Sequence, residues 1–324
     1  MIKTDILVIG SGAAGLSFAL RVAQNDSSLR VTVATKVDRS ESNTKYAQGG
    51  IAVVVDECDS FESHVQDTLT AGAGICDESI VRMVVEEAPE RLKELVEWGA
   101  RFDITHAGEL DLGKEGGHGK NRIVHHKDVT GLEIEQKLLI QIGETRNIRI
   151  LDHHFAIDLI TEHHLNMELV PDKRTCYGAY ILDVKSGEIE PILSKITMLA
   201  SGGLGQVYAH TTNPLVATGD GIAMAYRAQA KICEIEYIQF HPTALYLPEE
   251  SPSFLISEAV RGEGAHLITK SGERFMSKYD NRLELASRDI VAKAIDNELK
   301  ISGDNCVYLD CKHLNIEDFK NHFP

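Results

Sequence analysis

The first apolar cluster, Asp5-Ile6-Leu7-Val8-Ile9, is short and β-branched, and the pattern predicts a buried strand. Gly10-Ser11-Gly12-Ala13-Ala14-Gly15 follows directly, then helix formers over 16–23 and a second strand over 30–34. Further on, Val81, Val84, Val85, Ala88, Leu92, Leu95 and Val96 recur at helical spacing and predict a core-packing helix over 80–98 with no chemistry of its own. Short β-type runs at 148–151, 177–184 and 196–199 suggest a small sheet beside the main one. A helix is predicted over 222–230, with Asp220 where an N-cap is wanted.

Strand, GxGxxG, helix and strand within about 35 residues form the context a dinucleotide-binding turn requires. Gly10 permits the tight turn, Gly12 lets backbone approach a pyrophosphate, and Gly15 lets helix pack on strand. The helix N-terminus offers free N–H groups and a positive dipole end to phosphates. An acidic residue about 20 positions on would hold a ribose hydroxyl. Thr35-Lys36 ends the second strand instead, which weakens a simple NAD reading.

Composition narrows the function. The 324 residues suggest two domains, and 43% hydrophobic residues suffice for a substantial core. With 49 acidic against 33 basic side chains, the net charge of -16 argues against nucleic-acid binding and against an anionic membrane surface. A small anionic substrate needs only a few local cations. Six scattered cysteines, none spaced as CxxC, read as buried thiols in a reducing compartment, and the His doublets 125–126, 153–154 and 163–164 chelate poorly on strands, so no metal is expected. Asp5 interrupts the N-terminal apolar stretch, and no apolar run approaches the ~20 residues of a membrane span, so the protein reads as soluble and cytoplasmic.

Five polar blocks carry the remaining chemistry. Ser42-Asn43-Thr44-Lys45-Tyr46-Ala47-Gln48-Gly49-Gly50 is an ordinary loop or a cofactor-contacting one. Glu115-Gly116-Gly117-His118-Gly119-Lys120-Asn121-Arg122 suggests a mobile loop presenting polar groups, and on its residues alone a solvated surface loop is favoured. His241 before Pro242 reads as a satisfied loop histidine, Arg261 and Glu263 as a surface ion pair worth at most about 1 kcal/mol. Arg288-Asp289 opens a predicted helix, where an early Asp is routine.

Taken in order, these blocks resemble the flavoproteins of the succinate dehydrogenase/fumarate reductase family, and within it the branch that oxidises L-aspartate; the resemblance extends over essentially the whole sequence. It implies an α/β fold: an FAD-binding Rossmann-like (two-dinucleotide-binding) domain with a small inserted β region over 1–235, and an α+β capping domain over 236–324. It implies FAD held by Gly10, Ser11, Gly12, Ala13, Ala14, Gly15, Lys36, the loop from Asn43, Thr44, Lys45, Tyr46, Ala47, Gln48, Gly49 to Gly50, and Asp220. Asn43 stands where covalently flavinylated relatives carry His, which implies non-covalent FAD. The run 199–203 matches the family's second glycine turn.

The resemblance further assigns substrate contacts to His241, Ser257 (Thr in most relatives) and Glu258, and recognition of the substrate ammonium to Glu115. Arg288 matches the arginine that exchanges a proton with the substrate when the family reduces fumarate; for amine oxidation the resemblance supports an electrostatic partner more than a base, since a free Arg pKa exceeds about 12. The implied reaction is oxidation of L-aspartate to iminoaspartate in de novo NAD biosynthesis, with oxygen or fumarate as acceptor and quinolinate synthase as a functional partner. A fumarate reductase or succinate dehydrogenase, or a non-catalytic flavin-binding fragment, are the alternatives. The family's later motifs do not follow Arg288, so the flavin domain is expected to be incomplete and the sequence truncated at its C-terminal end.

Overall fold

The structure, a computed structural model, describes residues 1–165 and 174–323. In sequence order the elements are β1 (Ile2–Lys3), β2 (Ile6–Ile9), α1 (Ala13–Asn25), β3 (Val31–Ala34), β4 (Ile51–Ala52), α2 (Phe61–Ala71), α3 (Glu78–Glu97), β5 (Leu112–Gly113), β6 (Ile123–Val124) and α4 (Thr130–Glu144). They continue as β7 (Ile148–Leu151), β8 (His154–Ile160), β9 (Gly178–Asp183), β10 (Ile189–Leu193), β11 (Ile196–Leu199), α5 (Asp220–Arg227), α6 (Glu258–Gly262), β12 (His266–Ile268), α7 (Arg288–Ser302), β13 (Tyr308–Asp310) and α8 (Ile316–His322).

Two compact units form, Met1–Tyr46 with Leu132–Glu236, and Ala47–Gly131 with Tyr237–Pro324. The expected division at 235/236 lies one residue from the last of the three boundaries, and the other two fall at 46/47 and 131/132.

In the first unit, β11, β2, β3 and β7 make a parallel sheet in that order. All four residues of β2 and of β3 are buried, the continuous burial of a parallel strand covered on both faces, with Thr32 the one polar residue among them. Helix α1 buries Leu16, Ala19, Leu20 and Ala23, one stripe at helical spacing. Each fully buried leucine, such as Leu7, Leu16 and Leu20, contributes about 1.5–3 kcal/mol.

A second sheet, ordered β1-β10-β9-β8, shares a core with the first through Leu7, Ile9, Leu151, Ala156, Leu159, Ile181 and Ile192. Of the three β runs expected in a side sheet, only the middle one lies there. The runs 148–151 and 196–199 are β7 and β11, the two edges of the main sheet. Alternation identifies a strand but not its partner; the pairing is set by long-range register, Ile196 on Ile6 and Val31 on Ile148.

In the second unit α2 packs on α3, β4-β6-β5 form a small sheet, and β12 pairs with β13 over a core of Leu267, Phe275, Met276, Ala286, Val291 and Ala294. Helix α3 departs from expectation. Asp77 caps it, accepting from Ser79 N at 2.9 Å, but only Val85 and Leu92 are buried, while Val84 and Val96 are exposed. The cysteines also differ: all six are free thiols, Cys58 and Cys233 are exposed, and the other four are only partly covered. Scattered spacing speaks to pairing and not to depth.

Among the described residues, no helix is long and apolar enough to cross a membrane, and no cluster of three His, Cys, Asp or Glu residues could hold a metal ion.

Candidate functional site

A cavity of about 450 Å³ opens in the first unit where β2 meets α1. Gly10, Ser11, Gly12, Ala13 and Ala14 line it, with Lys36, Asn43, Thr44, residues 199–202 and Asp220. The three motif glycines divide their duties physically. Gly10 has φ +114°, and a Cβ there would sit 2.1 Å from the Ala200 carbonyl oxygen; a Cβ on Gly15 would sit 2.1 Å from the Gly10 oxygen. The fold itself therefore forbids side chains at both. At Gly12 the nearest atoms to a Cβ would be Thr44 Oγ1, at 3.4 Å, and the Ser42 side chain, at 3.8 Å. Nothing in the protein requires glycine at 12, so the bare backbone there fits a ligand approaching from the cavity.

The end of α1 is prepared for an anion. Gly12, the N-cap, offers no side chain, and Thr44 Oγ1 accepts from Ala13 N at 2.9 Å in its place. The first intrahelical bond runs from Leu16 N to Gly12 O, so the N–H groups of Ala14 and Gly15 precede it and belong to the helix's positive end. Lys36 Nζ donates to Thr218 Oγ1 at 2.6 Å and Asp220 Oδ2 at 2.5 Å, tying the end of β3 to α5. Asp220 is thus the first residue of α5 and not its cap; Gly219, with φ +75°, takes that position. Glycine-lined backbone, a helix N-terminus and a lysine fit a dinucleotide such as FAD.

Other expected cofactor residues lie elsewhere. Gly15 packs behind the turn, while Lys45 Nζ and the Tyr46 hydroxyl both donate to Glu41. Ala47, Gln48, Gly49 and Gly50 belong to the second unit. There the Ala47 and Gln48 carbonyls accept from Gly131 N and Thr130 N, and a Cβ on Gly49 would lie 2.7 Å from Glu115 Oε1.

The second unit gathers the other polar residues. Glu258, buried in the first turn of α6, accepts from Gly116 N at 3.1 Å and from Arg288 Nε, and its Oε1 lies 3.4 Å from Arg261 Nη2. Arg288 Nη2 reaches to 3.6 Å from Glu115 Oε2, and its Nη1 donates to Gln239 Oε1 at 2.9 Å. Burial pushes the Glu115 carboxyl up, reinforced by Glu258 and opposed by Arg288. His241 is pushed down to about 4, first by burial and then by Arg288. Its Nδ1 faces both the N–H and the C=O of Thr243, at 3.2 and 3.0 Å. Ser257 is beside the cluster, but its hydroxyl caps α6 by accepting from Ala259 N at 3.3 Å.

Two surface readings fail here. Arg261 is fully buried, paired with Glu258 and donating from Nη1 to the Glu284 carbonyl at 2.7 Å. Its Nε and Nη2 have no hydrogen-bond partner, a costly state for a buried guanidinium. The Glu115 loop is likewise anchored. Arg122 is fully buried, gripping both Asp59 oxygens at 2.7 and 2.8 Å and Asp67 at 2.6 Å, while Gly119 N donates to Asp67 at 2.7 Å. Gln239 and Arg122 carry roles that local spacing could not reveal, because each is defined by partners remote in sequence.

Residues 5–324 match the family model of the FAD binding domain. A chloroplastic L-aspartate oxidase of Oryza sativa subsp. japonica is 51% identical over 99% of this chain and 50% of its own length. The L-aspartate oxidase of Pseudomonas aeruginosa is 49% identical over 99% of this chain and 59% of its own length. Among solved structures, an E. coli quinol fumarate reductase FrdA variant superposes with TM-score 0.88 at 28% identity, over 100% of this chain and 56% of that one. A quinol-fumarate reductase with menaquinol molecules gives TM-score 0.90 at 29% identity, over 100% of this chain and 57% of that one. The protein thus spans about half to three-fifths of the length of the relatives it matches.

Proposed function

Because this chain belongs to the FAD binding domain family, whose cofactor is FAD, we propose that it serves the FAD-dependent oxidation of L-aspartate to iminoaspartate. The observation that carries this reading is the cluster of Glu115, Glu258, Arg261 and Arg288: two carboxylates and two guanidiniums, three of the four buried or nearly so. Dicarboxylate recognition needs cations, and an α-ammonium needs an anion. Arg261 and Arg288 supply the first and Glu115 the second. The similarity to L-aspartate oxidases from rice and Pseudomonas supports the same substrate.

In this reading 1–235 holds the flavin, without a covalent bond at Asn43, and 236–324 acts as the capping domain. The pyrophosphate would be held at Gly12 and the N-terminus of α1, with Lys36, Asn43, Thr44 and Asp220 as further contacts. When bound, FAD takes up the hydride lost by the substrate carbon. The protein's own residues orient the substrate and manage its charge. His241, held neutral by burial and by Arg288, presents an uncharged ring to the dicarboxylate. Ser257 fixes the start of α6, and with it Glu258. Glu258 keeps Arg288 in place, and Arg288, a permanent cation, acts as an electrostatic partner for the substrate's carboxylate; proton exchange is its role in the fumarate-reducing direction, where it donates.

Oxygen or fumarate as acceptor, a cytoplasmic location and supply of iminoaspartate to quinolinate synthase in NAD biosynthesis complete the proposal. Iminoaspartate hydrolyses to oxaloacetate and ammonium, so the test is ammonium release from L-aspartate by the FAD-loaded protein, with oxygen or fumarate supplied. Release dependent on both FAD and aspartate is expected. Release from neither acceptor, with FAD bound, would refute the activity.

A further inference from the structure

Glu135 lies on α4, 1% exposed, outside the residues that line the cofactor cavity, and none of the chemistry above uses it. Its Oε1 accepts from the Ser42 hydroxyl at 2.5 Å. The oxygen of that hydroxyl accepts from Thr44 N at 3.1 Å, and Thr44 Oγ1 accepts from Ala13 N at 2.9 Å. Three consecutive hydrogen bonds therefore run from a buried carboxyl to the first residue of α1. Ser42, Thr44 and Ala13 all line the cavity.

We propose that Glu135 is a positioning residue for the cofactor's pyrophosphate: through Ser42 it sets the 42–44 loop that caps α1, and through its charge it tunes the turn's affinity for an anion. This rests on the FAD reading above. The geometry fixes the Ser42 proton toward Glu135 and leaves its oxygen for Thr44. Thr44 in turn supplies the cap that Gly12 cannot. Without the Glu135 acceptor the Ser42 rotor is released and the loop loses its anchor to α4.

The charge state follows from the surroundings. Burial raises the carboxyl to about 7, against the Ser42 hydrogen bond and Lys45, with Glu41 and Asp38 raising it further. These four groups come from the loop packed over α4. A bound pyrophosphate adds negative charge and favours the protonated carboxyl, so binding takes up a proton. By linkage, affinity is full below that value and falls as pH rises through it.

The test is FAD affinity, by flavin fluorescence quenching, between about pH 6 and pH 8 for wild type, Glu135→Gln and Glu135→Leu. Gln keeps an acceptor for Ser42 and cannot ionise; Leu removes the acceptor. Wild-type Kd should rise about 5-fold over this range, the Gln protein should bind tightly with a flat profile, and the Leu protein should bind at least about 10-fold more weakly at the lower pH. A Gln protein that keeps the wild-type slope, or a folded Leu protein that binds as wild type, overturns the role of Glu135 alone. Wild type that takes up no FAD overturns this inference together with the FAD reading.

Discussion

Arg288 holds Nη2 3.6 Å from Oε2 of Glu115 while its Nε donates to Glu258, so one guanidinium serves two carboxylates. Glu258 is the better-satisfied of the two, with Gly116 N and Arg261 as further partners. Glu115 keeps capacity to spare for a cation. Replacing it with Gln should raise KM for L-aspartate about 10- to 100-fold, the cost of a lost charge-assisted contact. Fumarate reduction by the same variant should suffer much less, since fumarate has no ammonium. Steady-state kinetics with both substrates checks this.

The pH dependence of aspartate affinity follows from the same carboxyl. Burial and Glu258 raise Glu115 above the ordinary carboxylate range, and only its ionised form holds an ammonium. Aspartate affinity should therefore weaken as pH falls through the raised value, earlier than for an exposed glutamate. The acid limb of a kcat/KM profile reports it, and Glu115→Gln should remove that limb.

Glu258 is a stability residue as well as a site residue. Glu258→Ala leaves the fully buried Arg261 uncompensated, and should cost about 3–5 kcal/mol in chemical denaturation. The double variant Glu258→Ala with Arg261→Met should recover part of that loss.

His241 gives a slope of opposite origin. Its folded value of about 4 lies below the usual ~6.5, so between these values the unfolded state binds the extra proton. Stability should rise with pH across this window, by an amount on the order of 2 kcal/mol, and be level above it. His241→Asn should flatten the curve measured by thermal or urea unfolding.

The three turn glycines should separate. Gly10→Ala and Gly15→Ala each drive a Cβ to 2.1 Å from backbone oxygen and should prevent stable folding. Gly12→Ala should melt like wild type yet bind FAD at least about 10-fold more weakly, because the new methyl occupies ligand space. Melting curves and FAD titration distinguish the cases.

Much of the fold and site was legible in the residues. The 10–15 turn, the strands beside it and the helix opened by Arg288 follow from local pattern, where glycine spacing and apolar runs act over a few residues. What escaped depends on distance in sequence. Ser42 and Glu135 are 93 positions apart, Gly116 and Glu258 are 142 apart, and the edge strands β7 and β11 take their places by long-range pairing. Arg261 read as a surface charge because its neighbour Glu263 offered an obvious partner, whereas its ion-pair partner, Glu258, lies one helical turn back. Helical spacing on α3 likewise predicted burial that only Val85 and Leu92 achieve.

The most direct test of aspartate oxidation is anaerobic flavin spectroscopy on the 324-residue protein loaded with FAD, with L-aspartate and succinate added in separate experiments. Flavin should be bound at one per protein molecule and bleached by L-aspartate far faster than by succinate. Bound flavin that succinate bleaches and L-aspartate does not would contradict the proposed activity.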